Sequence, residues 1–274
     1  MSNEPTTSRP SPALAELFIP ERAEEIAFWT DLALGYGRVV INWHCGTGEL
    51  GLGLAKNGLR VVGIDPDPEA IEVARAREAV NGEDLMLTWL CHEPRLISLP
   101  GPADFAILSG DMLGSYLLED QRIGLLKNIV HHLRPGGAIG LSVPMAPPSG
   151  VVHNKFISGP LRPLPKGAFA RRVSTLRYDA SSSLLSGQDD VLIRLPDGEQ
   201  RFKESYVRRL YSPHEIFTLL QQRDFIGIGM WGGWDRRPLR QASGSFIARA
   251  ERPLNRVVGK SAAPQDLEHP IEQS

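Results

Sequence analysis

Apolar positions recur at helical spacing over residues 22–34, where Ile26, Trp29, Leu32 and Ala33 share one side. The period then changes. Val39, Val40 and Ile41 form a short continuous apolar run, the pattern of a strand buried on both faces. Gly46 and Gly48 mark a tight turn, and Leu50, Leu52, Leu54 and Ala55 supply the buried side of a following helix that Gly58 stops. A second strand over 61–64 ends on Asp65, and a further helix follows. Residues 85–90 and 104–109 read as a third and a fourth strand. Ile123, Leu125, Leu126, Ile129 and Val130 predict a helix over 119–133, and Arg134-Pro135-Gly136-Gly137 ends it before a fifth strand at 138–143.

Beyond Pro144 the pattern changes again. Pro147, Pro148, Gly150, Pro160, Pro163 and Pro165 mark a long irregular stretch. Residues 171–210 alternate as antiparallel strands do, with Pro196-Asp197-Gly198 as a turn. A last helix over 213–223 precedes strands at 225–231 and 243–250. No internal repeat is visible. The order predicts an α/β core over 21–145, an antiparallel insertion over 146–210 and completion of the core over 211–252. Residues 1–20 and 253–274 carry no core pattern and are expected to be disordered. Alternating β and α elements imply a parallel sheet with helices on both faces. Such sheets bind ligands outside the carboxyl ends of their strands, at the point where the strand order reverses. The glycine turn, Asp65, residues 91–93 and residues 109–111 all fall at those ends.

Composition narrows the class. The chain has 274 residues, 42% of them hydrophobic and 23% charged, which suits a globular enzyme. A net charge of −2 argues against a general binder of nucleic acid or of membrane surfaces. Arginines dominate after residue 150, which reads as a solvated basic face. Two cysteines make no disulfide framework, a usage that fits a reducing cytoplasm. No leader is expected, no apolar run reaches the length of a membrane span, and no cluster has metal-ligand spacing.

The turn and the acid define a site for a nucleoside-containing cofactor. Glycines let backbone approach a ligand, and a strand-end acid suits a ribose diol. Gly46-x-Gly48-x-x-Gly51 with Asp65 matches a dinucleotide fingerprint, but such patterns arise easily. The longer segment HCGTGELGLGLAKNGLRVVGIDPDPEAIEVAR resembles the cofactor motif of class I S-adenosylmethionine-dependent methyltransferases, usually close to G-C-G-T-G-E-L. RAEEIAFWTDLA, LTWLCHEPRLISLPGPADFAIL, NIVHHLRPGGAIGLSV and RFKESYVRRLYSPHEIFTLLQQRDF resemble further parts of that family, in order, over roughly residues 20–251. The resemblance implies a Rossmann-like fold with a mostly parallel seven-stranded sheet and an antiparallel β insertion. It also implies S-adenosyl-L-methionine as cofactor and a small-molecule methyl acceptor reacting at N or O.

On that resemblance Gly46, Thr47 and Gly48 lie along the cofactor, Asp65 and the adjoining Pro66 take the ribose, and Glu93 takes the adenine amino group. Ser109 and Gly110 pass the methionine portion. Asp111, Tyr116 and Tyr206 are the candidate catalytic groups, with Asp235 as a further helper and Trp231 and Trp234 as walls for a cation. His153 reads as a surface loop residue. Two positions depart from the family. His44 stands where a glycine is usual, and Asn42 where the strand-end acid is usual. His44 either donates to the cofactor carboxylate or blocks the pocket, and Asn42 loses a charge that would attract the cofactor ammonium. Three classes follow: a small-molecule methyltransferase, a non-catalytic partner protein that keeps the fold, and a nicotinamide-dependent oxidoreductase.

Overall fold

The computed structural model describes residues 9–20, 22–82, 84–147, 154–240 and 243–254. The expectations for residues 1–8, His153 and residues 255–274 lie outside them. The chain opens with α1 (Pro12–Glu16) and α2 (Ala23–Leu34). Alternation follows: β1 (Val39–Trp43), α3 (Glu49–Lys56), β2 (Arg60–Asp65), α4 (Pro68–Asn81), β3 (Leu87–Cys91), β4 (Ala103–Leu108), α5 (Met112–Ser115), α6 (Glu119–His132) and β5 (Leu133–Pro144). The antiparallel part holds β6 (Asn154–Ser158), β7 (Arg162–Pro163), β8 (Phe169–Asp179), β9 (Leu184–Leu195) and β10 (Gly198–Arg209). Then α7 (Pro213–Gln221), β11 (Ile226–Trp231) and β12 (Ser245–Glu251) complete the core.

The main sheet runs β11-β12-β5-β4-β1-β2-β3. Strands β1 to β5 pair in parallel, and β12 runs antiparallel to both its neighbours, β11 and β5. The strand order reverses at β1, so the crevice lies over the carboxyl ends of β1, β2 and β4. This is the mostly parallel seven-stranded sheet, with an antiparallel β insertion, that the resemblance implies. The two-residue period of each strand sends alternate side chains to opposite faces. Val40, Phe105 and Ile107 join Trp29, Leu50 and Leu54 on one face. Ile41, Trp43, Ala106 and Leu108 join Leu125, Ile129, Ile216 and Leu220 on the other. The strand after α6 starts earlier than the glycine signal suggests, because Leu133 already pairs with Ala103 before an irregularity in register.

Two features correct the reading from sequence. Residues 9–20 are ordered rather than disordered in this structure. Ser11 caps α1 through Leu14 N–H, and Pro12 sits in its first turn, where its missing N–H costs nothing. Leu14, Leu17 and Phe18 pack on Ala170, Val191 and Ile193 of the small sheet, an anchor that composition alone hides. The second correction concerns Gly48 and Gly51. With Gly63 they form a slot for the Trp89 indole: a Cβ would stand 2.7 Å, 2.8 Å and 2.3 Å from its ring atoms at these three positions. Gly48 is the left-handed N-cap of α3 (φ 79°), and Gly51 is a packing glycine within α3, not part of a dinucleotide fingerprint. No helix is long and apolar enough to cross a membrane among the described residues.

Candidate functional site

A cavity of about 470 Å³ opens over the carboxyl ends of β1, β2 and β4. Its floor is the turn after β1. Cys45 N–H donates to Ile64 C=O at 2.9 Å and Gly48 N–H to Cys45 C=O at 3.1 Å, which curls the turn against β2. Gly46 takes φ 55°, and nothing lies within 4 Å of the position its Cβ would fill. Backbone is therefore bare to the cavity there, as a closely approaching ligand requires. Asp65, 7% exposed, ends β2. One carboxylate oxygen accepts Gly46 N–H and the other Asp67 N–H, both at 2.9 Å. Each oxygen keeps a further lone pair for a hydroxyl donor. Asp67, not Asp65, caps α4, through Glu69 N–H at 3.0 Å.

Of the residues singled out in sequence, Asn42, His44, Gly46, Thr47, Asp65, Ser109, Gly110 and Asp111 line this cavity. Asn42 is buried, and its Nδ2 has no hydrogen-bond partner among the described residues. An orphaned buried amide costs about 1–3 kcal/mol until something pairs with it, so this position favours a polar ligand group. Ser109 is tied down by Glu25 and Ser142, and Gly110 N–H donates to Ser142 Oγ at 2.8 Å. Asp111 precedes α5 without capping it and accepts from Arg208 Nε at 3.1 Å.

Gly48, Pro66, Glu93, Tyr116 and Tyr206 do not line the cavity. Gly48 faces Trp89 and Ala74. Glu93 turns to Arg95 Nε at 3.0 Å and to the Tyr116 hydroxyl at 3.2 Å. The Tyr206 ring lies across Gly187 of β9, with the Arg208 guanidinium 5.3 Å from its centre. Trp231 and Trp234 are not cavity walls: both meet Phe28 edge-on, at 5.6 Å and 5.5 Å, within the core beside α2. Asp235 pairs with its neighbour Arg237.

His44 neither fills the turn nor points at a fixed partner inside the cavity. Its backbone is left-handed (φ 55°), a conformation that histidine tolerates better than most residues. Its Nε2 lies 2.6 Å from the Tyr116 hydroxyl. Burial lowers the basicity of the imidazole, the Asp65 and Glu93 carboxylates work against that, and Arg208 adds to it; the net shift is downward. Burial and then the Glu93 charge raise the Tyr116 phenol well above its usual value, so it stays protonated.

The roof was missed in sequence. Arg9, Pro10, Pro12, Ala15, Glu16, Ile19 and Arg22 cover the cavity from the N-terminal side, and Glu204 reaches it from β10. Glu16 holds this strap down. It accepts two bonds from Arg77, at 3.1 Å and a shorter contact of 2.5 Å, and one from Thr47 Oγ1 at 2.7 Å. Arg9 pairs with Asp67 at 2.6 Å. The Ser11-Pro12 pair is a helix-start signal and was the one available clue.

The cavity lining carries six carboxylates; Arg77, Arg22, Arg9 and Arg208 pair with Glu16, Glu49, Asp67 and Asp111, which leaves Asp65 and Glu204 without a salt bridge among the described residues. That balance repels a pyrophosphate and suits a cationic ligand. The bare turn, the strand-end acid and the orphaned amide together fit a nucleoside with a charged tail, and Asp65, Gly46 and Asn42 are the groups placed to hold it. Among the described residues no group of His, Cys, Asp and Glu could hold a metal ion.

A family profile described as Methyltransferase domain matches residues 40–137, the segment from β1 to the start of β5. A ribosomal protein methyltransferase of Pseudomonas aeruginosa is 31% identical over 115 residues, 42% of this chain and 36% of that protein. The chain thus spans about a third of the length of the curated relatives it first matches. Among solved structures, the CcbJ methyltransferase from Streptomyces caelestis superposes with a TM-score of 0.73 at 18% identity, covering 89% of this chain and 93% of that one. CalS10 of Micromonospora echinaspora, an amino pentose methyltransferase solved with S-adenosylmethionine bound, gives 0.69 at 17% identity, covering 88% and 95%. Residues 40–137 thus match a methyltransferase domain, and the chain as a whole has the fold of these methyltransferases of known structure.

Proposed function

We propose that this protein transfers a methyl group from S-adenosylmethionine to an amine nitrogen of a small molecule. The observation that carries the reading is the acidic cavity over the bare glycine turn. Asp65 is central to it, because its charge meets backbone N–H groups and no guanidinium. S-adenosylmethionine supplies an electrophilic methyl group on a sulfonium. The residues around it bind and orient. Asp65 would accept the two ribose hydroxyls as an anion, an interaction stronger than a neutral pair. The Asn42 amide would meet the polar end of the methionine tail. The strap and β10 would exclude water, which strengthens the electrostatic hold on a cation. CalS10 acts on an amino pentose in the same fold, which supports a small acceptor. A nicotinamide dinucleotide gains nothing from this lining, since its pyrophosphate would face the carboxylates.

Titration calorimetry tests the proposal. S-adenosylmethionine and its demethylated product should bind, and NAD should not. Asp65→Asn should weaken both nucleosides by about tenfold to a hundredfold, since it removes one charge-assisted interaction and turns a donor toward Gly46 or Asp67 N–H. Equal affinity in Asp65→Asn, or tight NAD binding, would remove the basis of the assignment.

A further inference from the structure

We infer that His44 is the proton acceptor that prepares an amine for methylation, acting through its Nδ1. The inference rests on the methyl-transfer reading above and goes beyond it by assigning the base. Three contacts decide the position of the protons. Tyr116 has one hydroxyl hydrogen. The Glu93 carboxylate, paired with Arg95, has none to give, so the phenol donates to Glu93. The remaining partner of the phenol oxygen, His44 Nε2 at 2.6 Å, must then be the donor. A neutral imidazole with a proton on Nε2 carries its lone pair on Nδ1. That nitrogen has no hydrogen-bond partner among the described residues, and His44 lines the cavity.

The surroundings keep the ring in its basic form. The charged groups facing His44 are Asp65 from β2, Glu93 and Arg95 from the loop after β3, and Arg208 from β10, with the Tyr116 phenol alongside. Burial outweighs the two carboxylates, so the ring rests neutral near pH 7. The same carboxylates offset the charge when the ring takes a proton. In the step proposed, an N–H bond of the incoming ammonium breaks and its proton passes to Nδ1. The electron pair stays on nitrogen, which is then a nucleophile, and the imidazolium later releases that proton to water. The Tyr116–Glu93 pair does not carry the proton onward. It holds the tautomer, so both are positioning residues.

The left-handed backbone at position 44 makes His44→Gly a variant compatible with the turn. Two readouts test the inference. In the free protein at pH 7.5, nitrogen NMR should show His44 protonated on Nε2 and bare on Nδ1, and Tyr116→Phe should give a mixture of tautomers. A proton on Nδ1 in the native chain overturns the assignment. Calorimetry supplies the second readout. Sinefungin carries an ammonium where the cofactor carries its sulfonium methyl, beside the place of the acceptor nitrogen. It should bind the native protein more tightly than S-adenosylhomocysteine by about tenfold or more. His44→Gly should bind S-adenosylhomocysteine no more weakly than the native chain and lose the preference for sinefungin. If the preference survives in His44→Gly, the base assignment fails while the cofactor reading stands. If neither nucleoside binds the native protein, both fall.

Discussion

Replacing Glu16 with Gln asks whether the N-terminal strap is part of the binding site or only rests beside it. Glu16→Gln keeps the volume of the side chain and removes its charge. In the native chain its two oxygens collect Arg77 twice and Thr47 once, with 15% of the Glu16 side chain and 28% of the Arg77 side chain exposed. Burial raises the proton affinity of Glu16, but Arg77 and Thr47 more than offset it, so its carboxyl sits below the usual range and stays ionised. An amide would place an NH2 against one of these donors. The contact is neither fully exposed nor fully buried, so the loss should be about 1–2 kcal/mol. That changes the ratio of open to docked strap by about 5–30-fold. The main sheet and its two apolar faces do not involve Glu16. The loss should therefore appear as local opening and not as global unfolding. S-adenosylmethionine affinity should fall by up to that factor of about 5–30-fold, the full factor being reached where the open strap predominates, while the melting temperature of the free protein moves by less than about 2 °C. Limited proteolysis should cut residues 9–20 sooner. Unchanged affinity with the strap predominantly open would show that the strap is not part of the binding-competent state. A melting shift that accounts for the whole effect would refute the local picture.

Two further predictions concern the frame of the site. Gly63→Ala would place a Cβ 2.3 Å from the Trp89 ring and 3.1 Å from Cys45 Sγ. Overpacking of this kind costs about 1–3 kcal/mol, so the melting temperature should drop by about 2–12 °C. Gly124→Ala, where nothing lies within 4 Å, is the control and should not lower it. His132 is held neutral at the end of α6: its Nδ1–H donates to Asn128 C=O at 2.8 Å and its Nε2 accepts Leu99 N–H at 2.9 Å. Burial is the largest cause that lowers its folded pKa below the unfolded value of about 6.5. The unfolded chain then binds more protons between those two values, so stability rises with pH there. His132 contributes fully above about pH 6.5 and less as pH falls toward the folded value. Melting curves from pH 5 to 7.5 should show a difference between the native chain and His132→Gln that shrinks on acidification. A constant difference would contradict the assignment.

Much of the architecture and part of the site were written in local pattern. Apolar runs of about three to six residues between helical periods announce parallel strands, because a strand covered on both faces is mostly apolar. A glycine turn after β1 and an acid ending β2 announce a nucleoside site, because chain order alone brings these elements to adjacent strand ends. Asn42, His44, Gly46, Thr47, Asp65, Ser109, Gly110 and Asp111 were legible for that reason. Other facts depend on which side chain meets which, over distances the sequence does not encode locally. Gly48 and Gly51 look like ligand glycines until Trp89, about forty residues later, is seen in the slot beside them. Trp231 and Trp234 suit a cation wall by composition, yet they meet Phe28 edge-on because β11 ends beside α2. The strap over the cavity exists because Phe18 finds Ala170, Val191 and Ile193, and Glu16 finds Arg77. The tautomer of His44 is set by a phenol 72 residues away and by the carboxylate behind it. Period and spacing specify which backbone forms and where its strands end; the partners of a polar side chain in the cavity follow only once the chain has closed on itself.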